Sequence, residues 1–193
     1  MISRLVPFLG ALAISLNVHG AESRHWDLAV LMDGLSNASA GQVGFTERKT
    51  LQMLKEPLIL KGTLDFRRPA RLEKRITSPM TETYLVEGNE VTIDRPAKGF
   101  RQKVALTDYP ALQAFVESIR APLAGDLASL QRFYRVSLGG SERNWLMALV
   151  PLDTDMAKLV RSVRIKGSGD RMREVRIEES NGDSSVMTIE PLP

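Results

Sequence analysis

Residues 45–94 read FTERKTLQMLKEPLILKGTLDFRRPARLEKRITSPMTETYLVEGNEVTID, and this stretch decides the fold. Apolar and polar residues alternate along it, for example from Leu58 to Phe66. Short turn segments separate the alternating runs, at Arg67-Arg68-Pro69, Ser78-Pro79 and Gly88-Asn89. Alternation with a period of two residues, bounded by such turns, is typical of antiparallel strands. The stretch therefore predicts a sheet with one apolar face, which other parts of the chain must cover.

Further strands are predicted on either side of this stretch. A long first strand spans residues 40–54, and alternating runs after residue 133 flank glycine-rich turns such as Gly139-Gly140-Ser141 and Gly167-Ser168-Gly169-Asp170. We expect about eleven antiparallel strands, connected in a meander by local turns. A flat open sheet of that size is disfavoured, so the strands must curl into a barrel or a strongly bent sheet.

Two segments have apolar residues at helical spacing. Residues 26–35 place Leu28, Leu31 and Leu35 on one stripe, with Ser23 in position to cap the helix. A second helix begins at Pro110, presents Leu112, Phe115 and Ile119, and ends at Ala121-Pro122; a further helical piece covers residues 126–131. Because these segments interrupt a β chain, we expect them to pack as a unit on or inside the sheet.

The first twenty residues differ in composition from the rest. Arg4 precedes an apolar run from Leu5 to Leu16, and Val18 and Gly20 occupy the −3 and −1 positions of a cleavage site. This pattern is typical of a secretory signal peptide. We therefore expect cleavage after Gly20, export to the periplasm, and a single soluble domain over residues 21–193. The absence of cysteine excludes disulfides, thiolate metal sites and a lipid anchor on cysteine.

Candidate catalytic groups are sparse. Beyond the leader the chain has one histidine, His25, and no serine in a G-x-S-x-G context. Asp153 and Asp155 form a pair typical of the start of a helix or turn. A carboxylate pair assembled only in three dimensions stays open, but no catalytic residue, metal site or cofactor is predicted. The formal charge of +3, with both signs interspersed, does not indicate a nucleic-acid partner.

Several different short motifs follow one another along the chain. Phe45-Thr46 is followed by Lys49; the later motifs are Gly62-x-Leu64-x-x-x-Arg68-Pro69, Thr77-x-Pro79, Leu85-Val86 before Gly88, and Asn181-Gly182. In this order the chain resembles the periplasmic outer-membrane lipoprotein carriers of the LolA type. The resemblance implies a half-open, strongly curved antiparallel β-barrel of about eleven strands with a helical lid. It also implies that Arg68 hydrogen-bonds the lid and helps to hold it shut.

The resemblance further implies an apolar cavity for the acyl chains of a lipidated client. The alternation on successive strands predicts its lining: Leu60, Leu64, Phe66, Leu72, Ile76, Tyr84, Val86, Trp145 and Met147. The lid helices are predicted to contribute Leu28, Leu31, Leu35, Leu112, Phe115 and Ile119. Residues 72–76 lack the aromatic side chains usual in the family, and Asp65 stands where bulky apolar residues are usual. A client other than a triacylated lipoprotein, such as another acylated or polyene-type lipid, therefore stays open.

These observations favour a carrier that shelters the acyl chains of a lipoprotein or another lipid and moves it toward the outer membrane. Its expected partners are that ligand, an inner-membrane donor complex and an outer-membrane receptor, with the chain itself a monomer. The alternative is an adaptor of the same fold that senses a lipid or lipoprotein and regulates a protein partner. An enzyme built on this fold is a third class, disfavoured by the missing nucleophile–base pair.

Overall fold

The computed structural model describes residues 26–37 and 41–192. The predicted leader, its cleavage site, Ser23 and His25 lie outside the described residues. Within them the chain forms one antiparallel sheet of eleven strands, four α-helices and two short 3-10 turns. The strands are β1 (Gly41–Thr50), β2 (Leu58–Arg67), β3 (Arg71–Ser78), β4 (Glu82–Glu87), β5 (Glu90–Arg95), β6 (Phe100–Ala105), β7 (Tyr134–Ser141), β8 (Asn144–Pro151), β9 (Val160–Ser168), β10 (Arg171–Glu179) and β11 (Ser184–Glu190).

The strand order is β6-β5-β4-β3-β2-β1-β11-β10-β9-β8-β7. Two meanders, β1–β6 and β7–β11, therefore meet where the first strand pairs with the last, with Phe45 opposite Ile189. Among the described residues β6 and β7 are the two edges and do not pair, so the sheet is not closed. The predicted mainly β, half-open antiparallel architecture is confirmed. The expectation of a single meander is wrong, because the two halves are joined by the pairing of the first strand, β1, with the last strand, β11.

The chain passes from one edge of the sheet to the other through two helices. These are α2 (Pro110–Ala124) and α3 (Leu127–Phe133). The predicted end of α2 at Pro122 is wrong by part of a turn. Gly125 adopts a left-handed conformation (φ 71°), its N–H bonds to the carbonyl of Pro122, and the N–H of Asp126 bonds to that of Ala121. This pair of bonds satisfies the last carbonyls and ends the helix at Gly125, so the proline lies in the final turn.

Aspartates begin three of the helices. Asp27 accepts a hydrogen bond from the N–H of Val30 (2.9 Å) at the start of α1 (Leu28–Asn37). Asp126 accepts one from the N–H of Ser129 at the start of α3. Asp153 accepts from the N–H groups of Asp155 and Met156 and begins α4 (Thr154–Leu159), where the sequence pattern indicates the start of a helix or turn. Each carboxylate satisfies backbone donors that have no partner within the helix.

The buried apolar residues form two clusters on the inner face of the sheet. The larger cluster includes residues of all four helices and contains Trp145, whose Nε1 donates to the carbonyl of Gly169 (2.9 Å). A smaller cluster lies under α2 and consists of Phe66, Leu72, Val86, Val91, Leu106 and Val116. The helices thus cover the apolar face of the sheet, as the alternation requires. The location of the functional site depends on where the helices leave a cavity between themselves and the sheet.

Candidate functional site

A cavity of about 650 Å³ lies between α2 and the inner face of the sheet. Alternate residues of β1–β4, β10 and β11 point into it because successive side chains of a strand face opposite sides. Its apolar lining comprises Leu58, Leu60, Leu64, Leu72, Ile76, Val86, Val91, Leu112, Phe115, Val116, Ile119, Val160, Ile177 and Met187. The size lies within the range of about 300–1,000 Å³ usual for small-molecule sites.

The structure brings most of the predicted site residues together. Six of the sheet residues line the cavity, namely Leu60, Leu64, Leu72, Ile76, Tyr84 and Val86. From α2, Leu112, Phe115 and Ile119 face them across the cavity. The predicted lining and its role in lipid binding stay proposals, because the lining geometry alone does not name an occupant.

Other predicted residues lie outside the cavity lining. Phe66 belongs to the packed cluster under α2. Trp145 and Met147 lie in the larger cluster, where they are 1% and 0% exposed. Leu31 and Leu35 of α1 are buried in the same cluster, and Leu28 packs against it. The space under α1 is therefore filled, whereas the space under α2 is only partly filled by the smaller cluster and contains the cavity. Hydropathy does not separate these two cases, since both present apolar residues at the same spacing.

Charged side chains interrupt the apolar wall. The carboxylate of Glu47 on β1 is 4% exposed, and Lys74 on β3 donates a hydrogen bond to its Oε2 atom. The Nζ atom of Lys49 lies 3.9 Å from the Oε1 atom of the same carboxylate. Lys74 also lies over the ring of Phe45, 5.0 Å from its centroid. Burial lowers the pKa of Lys74, an effect that the charge of Glu47 opposes. The sequence analysis did not predict this cluster. The signal that could have revealed it was the presence of glutamate and lysine at inward-facing positions of β1 and β3.

A second polar group lies on β4 and β5. The hydroxyl of Tyr84 donates to Glu82 (2.7 Å) and accepts from the Nη2 atom of Arg95 (3.1 Å). The Nε atom of Arg95 lies 3.4 Å from Glu82 without a well-formed hydrogen bond. Burial raises the pKa of the Tyr84 hydroxyl. The charge of Glu82 is thus balanced by Arg95 within the wall of the cavity.

An arginine on α2 ties this helix to the sheet. Arg120 donates hydrogen bonds to the carbonyl of Gly88, in the turn between β4 and β5, and to the carboxylate of Glu117. Both side chains are nearly buried, at 14% and 9% exposed. The hydroxyl of Tyr134 at the start of β7 donates to the carbonyl of Ala114 (2.9 Å). These bonds hold α2 over the cavity from both edges of the sheet.

Arg68, the residue expected to hold the lid, is exposed in the turn between β2 and β3. This turn and the turn that holds Gly88 lie at the same end of the sheet, since β2 and β4 run parallel to each other. β1 begins beside this turn, where Gly41 pairs with Phe66, and three residues separate Gly41 from the end of α1 at Asn37. The role of Arg68 as a lid clamp stays a prediction.

The cavity opens at the opposite end of the sheet. Leu51, Pro79, Met80 and Leu159 line this entrance, and Met80 and Leu159 are exposed. The adjoining turn after β1 carries Met53, 86% exposed, and Leu54. In the described part of the chain, none of the helices combines the length and apolarity that crossing a bilayer demands. Within the same part, no three histidine, aspartate or glutamate side chains are grouped as a metal ion would require.

Comparisons with known proteins identify a family for the chain. A model of the family described as outer membrane lipoprotein carrier protein LolA-like matches residues 20–189. No curated protein matches the chain. Similar solved structures include a LolA superfamily protein from Nitrosomonas europaea, with 10% identity, a TM-score of 0.45, and 84% of this chain and 92% of that chain covered.

Two further solved structures are similar to the chain. A DUF1329 family protein from Desulfovibrio piger has 12% identity and a TM-score of 0.47, with 85% of this chain and 89% of that chain covered. A Pseudomonas aeruginosa MucA/MucB complex has 12% identity and a TM-score of 0.46, with 85% of this chain and 56% of that chain covered. The family model, which spans nearly the whole chain, confirms the resemblance found in the sequence motifs. The chain belongs to the family of outer membrane lipoprotein carrier protein LolA-like proteins.

Proposed function

We propose that the chain is a periplasmic carrier that shelters the acyl chains of a lipoprotein or another lipid and moves it toward the outer membrane. The observation that carries the proposal is the cavity of about 650 Å³ beneath α2, whose wall is mainly aliphatic. The carrier performs no covalent chemistry. Its ligand comes from an inner-membrane donor complex and passes to an outer-membrane receptor.

Transfer of acyl chains from water supplies the binding free energy. Each buried methylene contributes about 0.8 kcal/mol, so a chain of about a dozen methylenes gains roughly 10 kcal/mol. In this proposal α2 moves away from the sheet to widen the cavity during uptake, which breaks the bonds of Arg120 and Tyr134 and exposes apolar surface. A carrier must also release its ligand, and the free energy needed to open the lid offsets part of the gain. Binding is therefore tight enough for transport and still reversible.

Native mass spectrometry of protein isolated from periplasmic extract tests the proposal. We expect lipid to copurify with the protein and to be displaced by added palmitate. Leu112→Trp enlarges a side chain that lines the cavity and should reduce the retained lipid. Leu146→Trp is the control, because Leu146 is exposed on β8 and lies outside the cavity lining. Absence of bound lipid, together with failure to take up palmitate, would contradict the proposal.

Transfer to membranes separates a carrier from an adaptor. Protein loaded with a fluorescent acyl lipid is mixed with vesicles that contain a quencher. A carrier should lose its fluorescence as lipid enters the vesicles, at a rate that increases when α2 is loosened. Lipid that binds tightly but does not transfer would favour the sensing adaptor.

A further inference from the structure

The charged cluster of Glu47, Lys49 and Lys74 presents positive charge to the cavity. The side chain of Glu47 is 4% exposed, whereas those of Lys49 and Lys74 are 38% and 24% exposed. All three residues line the cavity. The carboxylate is therefore covered and the two lysines are accessible. Because two ammonium groups share one carboxylate, the cluster carries one net positive charge.

Stability alone does not account for this cluster. Burying ionised groups in an apolar wall is costly, and apolar residues of similar volume usually make a fold as stable or more stable. A few polar groups in an otherwise apolar cavity typically orient a ligand. The other charged groups of the lining are arranged differently. Arg95 balances Glu82, Lys158 bonds to Asp155 (2.6 Å) beside the entrance, and Glu179 lies at the end of β10.

The cluster lies between the entrance and the deepest part of the cavity. Lys49 pairs with Leu58 and Ser185 near the entrance, and Lys74 pairs with Leu64 and Tyr84 further in. Beyond Lys74 the lining is apolar: Leu64, Leu72, Val86, Val91, Leu112, Val116 and Ile119. A ligand that fits this arrangement has one apolar tail and a negatively charged head.

We propose that Lys74 and Lys49 bind the carboxylate or phosphate headgroup of an anionic amphiphile whose acyl chain lies beneath α2. This inference rests on the proposed function, since it assumes that the cavity binds a lipid tail. The ammonium of Lys74 keeps donors beyond the one that bonds to Glu47. Lys49 lies beyond hydrogen-bond distance from Glu47 and is placed to turn its donors toward the headgroup.

Displacement of a bound apolar dye by matched ligands tests the inference. Palmitate, hexadecanol and methyl palmitate share a chain and differ in the charge of the head, and palmitoyl lysophosphatidate replaces the carboxylate with a phosphate. On wild-type protein we expect the anionic ligands to displace the dye at concentrations at least about tenfold lower than the neutral ones. Whichever of palmitate and lysophosphatidate binds more tightly identifies the carboxylate or the phosphate as the preferred head.

Variants assign the preference to the lysines. Lys74→Met and Lys49→Met should each reduce the ratio of the affinity for palmitate to the affinity for hexadecanol. Lys49→Met leaves the hydrogen bond between Lys74 and Glu47 in place, so its result holds even where Lys74→Met impairs folding. Lys166→Met is the matched control, because Lys166 pairs with Glu174 (2.9 Å) and lies outside the cavity lining.

The outcomes separate this inference from the proposed function. Equal displacement by charged and neutral ligands would overturn the headgroup site and leave the carrier intact. Unchanged preference in Lys49→Met and in folded Lys74→Met would also overturn it. Failure of every ligand and of the dye to bind would contradict the carrier itself.

Discussion

Lys74 on β3 reaches over β2 to hydrogen-bond the buried carboxylate of Glu47 on β1. The inward position of β2 between Leu60 and Leu64 is Gly62, so at that point the bond passes over a residue without a side chain. The glycine is also required by the backbone. A Cβ atom at Gly62 would lie 1.9 Å from the carbonyl oxygen of Arg75, where β2 and β3 shift register. A glycine of the family motif thus allows two strands to approach and an ion pair to form.

The ion pair predicts an asymmetric response to mutation. Glu47→Leu leaves the Lys74 ammonium in the apolar wall without its partner, and we expect it to destabilise the fold by about 3 kcal/mol. The double variant Glu47→Leu, Lys74→Met removes both charges and should be within about 1 kcal/mol of wild type or more stable. Urea unfolding measures the free energy of unfolding of both variants. A double variant that is destabilised as much as Glu47→Leu alone would show that the pair stabilises the fold.

Burial also predicts the titration of Lys74. Its pKa is lowered from the ordinary value of 10.5, chiefly by desolvation. In the pH window below 10.5 the unfolded chain then holds a proton that the folded protein has lost, so stability rises with pH through this window. Lys74→Met should flatten that rise relative to wild type. Carbon-13 NMR of the Lys74 Cε atom measures the pKa directly, and a midpoint at or above 10.5 would show that desolvation does not dominate the titration of this ammonium.

The contacts of Arg120 predict that it controls the lid. Arg120→Met with Glu117→Leu removes the bonds to Gly88 without leaving an unpaired carboxylate. Hydrogen bonds from a charged donor contribute about 1.5–3 kcal/mol, so ligand exchange should accelerate about tenfold or more. Stopped-flow dye exchange measures this rate. Arg132→Met on α3, where Arg132 is exposed, serves as the control. Exchange rates equal to wild type would show that α2 opens without breaking this contact.

The role proposed for Arg68 predicts a different pair of variants. Arg68→Leu should alter ligand uptake or release and leave thermal unfolding nearly unchanged. Arg67→Leu is the comparison, because Arg67 is the last residue of β2 and is paired with Asp65 (3.1 Å). Dye exchange and thermal unfolding are measured for both. Equal and negligible effects of the two substitutions would contradict the role of Arg68 as a lid clamp. Arg120 would then be the side chain that holds the lid.

The sequence predicted the local structure of this chain better than its long-range pairing. Alternation and turn residues located the strands, and Gly88 with its left-handed conformation (φ 56°) forms the tight turn between β4 and β5 as expected. The pairing of β1 with β11 has no local signal, because it joins residues about 140 positions apart. Asp153 and Asp155 indicated the start of a helix or turn, but the extent of α4 was not predicted, because this helix is short and directly precedes a strand.

The candidate site was predictable only in part. Alternation predicts which residues of a strand face inward, so the sequence alone identifies Leu60, Leu64 and Leu72 as residues that line the cavity. Whether an inward residue meets another side chain or empty space depends on where the helices sit, and the same pattern therefore included Trp145, which is packed. The cluster around Glu47 and Lys49 on β1 was not predicted, because Lys74 lies on β3 and meets them only through the strand order β3-β2-β1.

The central claim is that an acyl chain occupies the cavity under α2. Methyl NMR of protein with labelled leucine, isoleucine and valine, titrated with palmitate, tests it most directly. The account predicts shifts in the methyl groups that line the cavity, which are Leu60, Leu64, Leu72, Val86, Val91, Leu112 and Ile119. Leu149, Val163 and Ile165, in the filled core, should not shift. Shifts confined to exposed residues such as Leu152, or no saturable shifts at all, would contradict the account.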